Sequence, residues 1–428
     1  MKLEELHPIL RQEFQDGHLA GVEKVDHPRC KSIWFVVPPN PPRTLIENLP
    51  LKSLASASEA IQELPTLAGA SDLDRLVSYL FLRKEAVESS RMEGTLSTVD
   101  HVLTPGDLFD EWKVKSEGAS VRGYALALEN EILRASTDRL AIFNIELILR
   151  LHFGTMNLDP RFKGIPGKIR EPGQPGEIVW IRGHSHQPED SVYNPPPARH
   201  VKRCLIDLMN WYADRDWVNQ GDAGLGMPLL ARIAVGHAHF EAIHPFSDGN
   251  GRVGRMLIAL QMACFGRLPL YLSGFIEEEK SRYSQVLQDA QKKLSYSPVI
   301  EFFADAVIAS SHEAKQTREH LVKLPEYWES LAKFRKGATS QRALTWLISH
   351  PIFTARQLQE SLGVSHQAAN QAVTQLQKKA IIRERTGYER NRVFAAEEVI
   401  SLLSRRFGSD PQEALAGARS LLQSSESS

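Results

Sequence analysis

The sequence predicts a mainly α-helical protein with one short β-hairpin near its middle and a separate C-terminal module of short helices and a hairpin. Three observations carry this expectation. Leu229, Leu230, Ile233, Ala234, His237 and Ala238 recur at helical spacing, as do Leu73, Leu76, Val77 and Leu80. A strand-like run is confined to Glu177–Ile181, among the glycines and prolines between Gly164 and Pro197, and is too short to form a sheet of its own. Beyond Gly337, short helical stretches alternate with turn signals.

Bulk properties narrow the class. A chain of 428 residues suggests two or three domains with real cores. Lys plus Arg number 51 against 52 Asp plus Glu, so no overall field draws the chain to nucleic acid or membrane. Cys30, Cys204 and Cys264 are odd in number and lack a C-x-x-C pair, which points to a reducing compartment and argues against a disulfide framework or zinc finger. The first residues carry no apolar signal core, and no run of about 18 apolar residues occurs. A cytoplasmic protein without a membrane partner is expected.

Taken in order, residues 1–70 show mixed helix signals and then Val36-Val-Pro-Pro-Asn-Pro-Pro42, whose prolines predict an extended surface connector. Ser71 with Asp74 opens a helix running to about Glu93, where Gly94 offers a left-handed stop. Ser97 with Asp100 opens the next. Helical spacing continues from about 120 to 160 and resumes near Pro197 and Pro228. A nearly all-apolar, hence buried, helix is expected from about Arg252 to Gly266, more helix over 277–320, and a hinge over Leu331–Gly337.

The chemistry concentrates in His244-Pro-Phe-Ser-Asp-Gly-Asn-Gly-Arg-Val-Gly-Arg255. Gly249, Gly251 and Gly254 spell G-x-G-x-x-G, but a dinucleotide fold needs a buried strand before the first glycine. Here a helix-period pattern, a histidine and a proline precede it. Glu241-x-x-His244 has di-iron spacing, yet its only companion is Glu4-x-x-His7 at the chain start. A phosphate site fits better. Gly249-Asn250-Gly251 lets backbone N–H groups converge on an anion at a helix N-terminus. Arg252 and Arg255, three apart on its first turn, present guanidinium forks that match phosphate oxygens. Without an anion those arginines oppose the helix dipole.

This stretch resembles the Fic family motif H-P-F-x-[D/E]-G-N-G-R-x-x-R at every specified position. Ile165-Pro-Gly-Lys-Ile-Arg170, Val179-Trp-Ile and Asn194-Pro-Pro-Pro197 resemble the family's flanking segments, and the likeness spans roughly residues 70–310. It implies a helical core that transfers AMP from ATP to a Ser, Thr or Tyr hydroxyl of a protein, itself included. By that resemblance His244 is the general base and Asp248 holds Mg²⁺. Gly249, Asn250 and Gly251 cradle the α- and β-phosphates, and Arg252 and Arg255 clamp the β- and γ-phosphates. Phe246 reads as a core anchor. Residues about 173–186 form a flap that adds a strand to the target's backbone, with His184 and His186 as surface residues. Tyr271 is the expected adenine contact.

Fic proteins often carry an inhibitory helix with [S/T]-x-x-x-E-[G/N], which Ser89-Ser-Arg-Met-Glu93-Gly94 resembles. The resemblance implies that Glu93 pairs with Arg255 and occupies the γ-phosphate's partner, an intramolecular lock. Removal of AMP from modified proteins, with Glu93 aligning water, would use the same residues.

From Gly337 onward the order helix, helix (355–362), turn (363–365), helix (366–379) and hairpin resembles a winged helix–turn–helix. Ala338–Arg406 holds ten Lys/Arg against five Asp/Glu, with Arg383, Arg385, Arg390 and Arg392 in the expected wing. Protein docking or dimerisation would suit such a module equally. A DNA-binding regulator whose Fic core senses nucleotide is therefore the alternative reading of the chain. The expected domains are 1–110 with the inhibitory helix at about 71–94, a core over 111–315, a linker over 316–337 and the winged module over 338–428.

Overall fold

The structure, a computed structural model, describes residues 1–25, 33–45, 49–104, 115–181, 190–214, 227–386 and 392–424. Cys30, His184, His186, Gly387 and Arg390 lie outside them. The chain is mainly helical and forms two compact units. One comprises Met1–Ala70 and Gly123–Ser310, the other Ser71–Arg122 and Ser311–Ser428. Each is built from two separate segments, whereas the sequence reading divides the chain linearly. No helix among the described residues is long and apolar enough to cross a membrane.

In the first unit, β1 (Gly21–Lys24) and β2 (Trp34–Val37) pair antiparallel with Val22 opposite Val36. This corrects the surface-connector expectation. Val36 and Val37 are fully buried and form strand, and only then does the proline run begin. Helices α1 (Leu51–Gln62) and, further along, α5 (Ile145–Met156) and α6 (Ala198–Ala213) surround the central pair, α7 (Leu229–Ile243) and α8 (Asn250–Cys264). Every residue of α7 from Leu230 onward is buried, and α8 is buried almost throughout. These helices therefore form a rigid scaffold on which the loop between them is displayed. Short α9 (Ser273–Glu278) and then α10 (Lys280–Lys293) follow.

The second unit opens with α2 (Asp72–Arg91). Its Ser71 cap makes the expected reciprocal bonds with Asp74, and Gly94 adopts φ +83°. Helix α3 (Val99–Leu103) is capped by Thr98 with His101, one residue later than the expected Ser97. Helices α4 (Glu117–Asp138) and α11 (Ser297–Ala332) supply residues to both units. The C-terminal segment runs α12 (Thr339–Ser349), β3 (Ile352–Thr354), α13 (Ala355–Leu362), α14 (His366–Lys378), β4 (Arg383–Glu384), β5 (Val393–Ala395), α15 (Glu397–Ser404) and α16 (Pro411–Ser424). Its strands form an antiparallel sheet in the order β3-β5-β4. Thr354 caps α13 with Gln357, and Gly363 takes φ +62° in the tight turn before α14.

The sequence stripe on α2 understates what the helix buries. Lys84 Nζ lies 3.4 Å from Glu313 Oε1 and 3.7 Å from Glu88 Oε1, and it donates to the Arg405 carbonyl at 3.3 Å. Arg405 in turn meets Glu313 at 2.9 Å and Thr317 Oγ1 at 2.9 Å. All five side chains are buried. Arg318 also reaches Asp74 at 3.0 Å. Buried ions are tolerable only when paired, and deleting one partner strands the other. Glu313→Ala, which removes the carboxylate that Lys84 and Arg405 share and leaves Arg405 without an acidic partner in this set, is expected to cost about 3 kcal/mol of unfolding free energy. A denaturant midpoint equal to the parent's would show that the network is not needed.

Three of the expected wing arginines face carboxylates of their own unit. Arg383 Nε meets Glu397 at 3.1 Å, and Arg385 meets Glu397 at 2.6 Å and also pairs with Asp100. Arg392 meets Glu384 at 3.4 Å. The local surplus of positive charge is thus partly neutralised from within, a fact hidden by a sequence count.

Candidate active site

The loop between α7 and α8 is shaped by its ends. Helix α7 stops because His244 turns left-handed, at φ +48°, and Pro245 cannot continue the helix. A non-glycine residue in that region carries strain of about 1–3 kcal/mol, which its surroundings must hold. Arg170 does so. Its buried guanidinium donates to the carbonyls of His244 (2.9 Å), Ile243 (3.2 Å), Pro196 (3.0 Å) and Glu177 (2.8 Å), and its own N–H donates to the Pro245 carbonyl at 2.8 Å. Burial lowers the Arg170 pKa to about 9, which still leaves the group charged near neutrality. The P-G-x-x-R segment is therefore the strut of the turn, a role its sequence did not disclose.

The His244 side chain is partly exposed, with Nδ1 3.8 Å from Glu241 Oε2, a charge-range contact rather than a hydrogen bond. Phe246 is fully buried. Asp248 is exposed, and its Oδ1 accepts the Gly249 N–H at 2.6 Å. Gly249 sits at φ +80°, where an added Cβ would lie 2.7 Å from Met156 Sδ, so both conformation and space require glycine.

Helix α8 begins at Asn250, two residues before the expected Arg252. The stretch expected to cradle phosphate is therefore a helix start rather than an open loop. The N–H groups of Asn250 and Gly251 belong to the first turn, which lacks intrahelical acceptors. The Asn250 side chain is not part of that cradle. Its Oδ1 accepts the Phe246 N–H and its Nδ2 donates to the Phe246 carbonyl, both at 2.9 Å, clasping the loop.

Arg252 is buried, with Nη1 2.9 Å from Asp159 Oδ2. Burial alone would raise the Asp159 pKa, but the Arg161 N–H and the Arg252 guanidinium outweigh it and hold the carboxyl below its usual range. Asp159 lies 93 residues from its partner and stands in no motif that marks it. Arg255 is buried on the same helix. Gly254 makes room for Glu241, whose Oε1 would lie 2.5 Å from an added Cβ. Tyr271 is half-buried in the segment between α8 and α9. Ser89 is buried on α2, whereas Glu93 is exposed on the turn beyond it, since that helix ends at Arg91. These two residues belong to the other compact unit.

Among the described residues no group of three or more His, Cys, Asp or Glu is arranged to hold a metal. The donor set at Asp248 fits the other kind of site, in which one carboxylate and substrate phosphates share Mg²⁺. His237 and His239 serve the core instead. His237 contacts the Gly254 carbonyl at 3.2 Å and Tyr283 Oη at 2.6 Å, and His239 contacts the Val235 carbonyl at 3.1 Å. Burial lowers their pKa values to about 3 and about 4. In the unfolded chain both titrate near 6.5, so the unfolded state takes up protons first as pH falls. Stability should therefore decline from about pH 6.5 toward pH 4, by up to about 1.4 kcal/mol per pH unit for each histidine. Thermal melts at pH 7, 6 and 5 measure this. A constant midpoint would contradict it.

Fold and site together define a mainly helical protein that presents a helix N-terminus, two arginines, a carboxylate and a histidine at one loop. Residues 142–262 match the Fic/DOC family and residues 51–130 the Fic/DOC N-terminal family. The chain thus carries segments that match the Fic/DOC domain and its N-terminal companion. It is 28% identical over 117 residues to a probable protein adenylyltransferase of Aquifex aeolicus, covering 26% of this chain and 34% of that one. It is 31% identical over 80 residues to the protein adenylyltransferase fic-1 of Caenorhabditis briggsae, covering 19% and 14%. The match thus spans about a third or less of these relatives. A crystal structure of a Fic family protein from Desulfovibrio desulfuricans G20 aligns over 83% of this chain and 98% of that one, at 20% identity and a TM-score of 0.48.

Proposed function

We propose that this chain is a protein adenylyltransferase. The supporting observation is the joint placement of His244 at the end of α7 and the first turn of α8 six residues later. A target hydroxyl oxygen attacks the α-phosphorus of ATP, the bond to the β-phosphate oxygen breaks, and pyrophosphate leaves. His244 takes the hydroxyl proton. The N–H groups at the start of α8 stabilise charge on the phosphates, and Arg255 holds the γ-phosphate. Arg252 reaches the phosphates with a guanidinium it shares with Asp159. Asp248 would hold Mg²⁺, which neutralises phosphate charge when bound. In this reading Tyr271 serves as the adenine contact and residues about 173–186 as the flap for the target backbone.

The names of the relatives favour the same reading. Two ATP samples test it, one labelled at the α-phosphorus and one at the γ-phosphorus. Adenylylation incorporates only the α-label and adds AMP to the protein mass. Incorporation of γ-label, or of neither label in the unlocked Glu93→Gly protein, would overturn it.

The reading includes a lock, in which Glu93 pairs with Arg255 and displaces the γ-phosphate. Its support is the Ser89–Gly94 motif. Residues 338–428 are read as a winged helix. The ion pairs of Arg383, Arg385 and Arg392 favour a docking role over DNA binding for it.

A further inference from the structure

We propose that His152, on α5, is a positioning residue for the transfer reaction, setting the Asp248–Gly249 peptide without touching nucleotide. Both ring nitrogens are committed to backbone of the site. The Gly167 N–H donates to Nδ1 at 2.8 Å. Nδ1 is therefore unprotonated in the neutral ring, and Nε2 carries the hydrogen that it donates to the Asp248 carbonyl at 3.1 Å. The ring stacks on Phe246, with centroids 3.7 Å apart and planes within 2°, and Phe162 meets it edge-on with centroids 5.6 Å apart. It is fully buried.

The consequences follow from which groups the ring joins. Gly167 belongs to the segment whose Arg170 holds the carbonyl of His244. The Asp248–Gly249 peptide carries the N–H that orients the Asp248 carboxylate and directly precedes α8. One turn along α5, Met156 abuts Gly249. One face of α5 thus moulds the loop, and His152 ties the turn that presents the base to the peptide that presents the carboxylate. A ring that only filled this space would be better as phenylalanine, because a buried polar group without partners is unfavourable. The imidazole is explained by its two bonds.

This inference rests on the adenylyltransferase reading, and its test separates the two. His152→Phe keeps the stack and removes both hydrogen bonds, whereas His152→Gln offers one acceptor and one donor in their place. Both are made in the full-length chain, with and without Glu93→Gly. In His152→Phe, kcat should fall about 100-fold, the scale of a misplacement of about 1 Å. The KM for ATP should change less than kcat, and His152→Gln should recover most of the loss.

Titration calorimetry gives a readout independent of transfer. ATP with Mg²⁺ should bind His152→Phe at least tenfold more weakly than the parent, while ATP without metal binds both alike. Parental kcat and parental Mg²⁺-dependent binding in His152→Phe would overturn the proposal. So would a loss that His152→Gln does not relieve despite an unchanged melting temperature. Failure of the unlocked Glu93→Gly protein to transfer AMP would refute the enzyme reading, and the calorimetric contrast would still decide the role of His152.

Discussion

Replacing His244 by alanine should reduce AMP transfer by about 10²–10⁴-fold, the usual contribution of a placed general base. Binding of ATP should survive, because the N-terminus of α8 and its arginines are untouched. The turn itself should persist: Arg170 grips the backbone carbonyls of Ile243 and His244, and no bond of the imidazole is needed for that grip. Alanine at φ +48° adds at most modest strain, since histidine already occupies that region. Kinetics with labelled ATP, paired with calorimetry of ATP binding, separate the effects. Transfer at the parent rate would remove His244 from the role of base. Loss of transfer and binding together would make it a structural residue.

Replacing Glu93 by glycine should act in the opposite direction. If its carboxylate competes with the γ-phosphate for Arg255, removing it restores productive ATP binding, and each 1.4 kcal/mol of lost competition raises the productive fraction tenfold. Self-modification and target modification should rise by about tenfold or more. The fold should tolerate the change, because Glu93 is exposed and lies beyond the end of α2. The buried anchor of that helix is the Lys84–Glu313–Arg405 set, which Glu93→Gly leaves intact. An unchanged labelling rate would exclude the lock.

Much of this site was legible because its chemistry is contiguous. Twelve consecutive residues hold the proposed base, the carboxylate, the helix start and both arginines, and the helical periods on either side placed the loop between two helices. The helix at 71–91 was legible from its cap and its glycine stop. What was not legible depends on partners remote in sequence. Asp159 pairs with Arg252, and His152 joins Gly167 to Asp248, yet neither residue stands in a motif read as functional. Local pattern also misled where burial overrides it. Val36 and Val37 lead into a proline run that suggests a connector, yet they pair with β1 in a buried strand. Lys84, Glu88 and Glu313 look like solvated helix surface until the structure brings them together. The wing arginines counted as a basic footprint because Glu397 and Asp100 could not be placed beside them.

The central claim, that this loop transfers AMP with His244 as its base, is tested most directly by intact-protein mass spectrometry after incubation with ATP and Mg²⁺. Glu93→Gly is compared with Glu93→Gly/His244→Ala, both full length. The account predicts a mass increase of one AMP per modified hydroxyl in the single variant and none in the double variant. An equal AMP adduct in both, or no adduct in either, would contradict it.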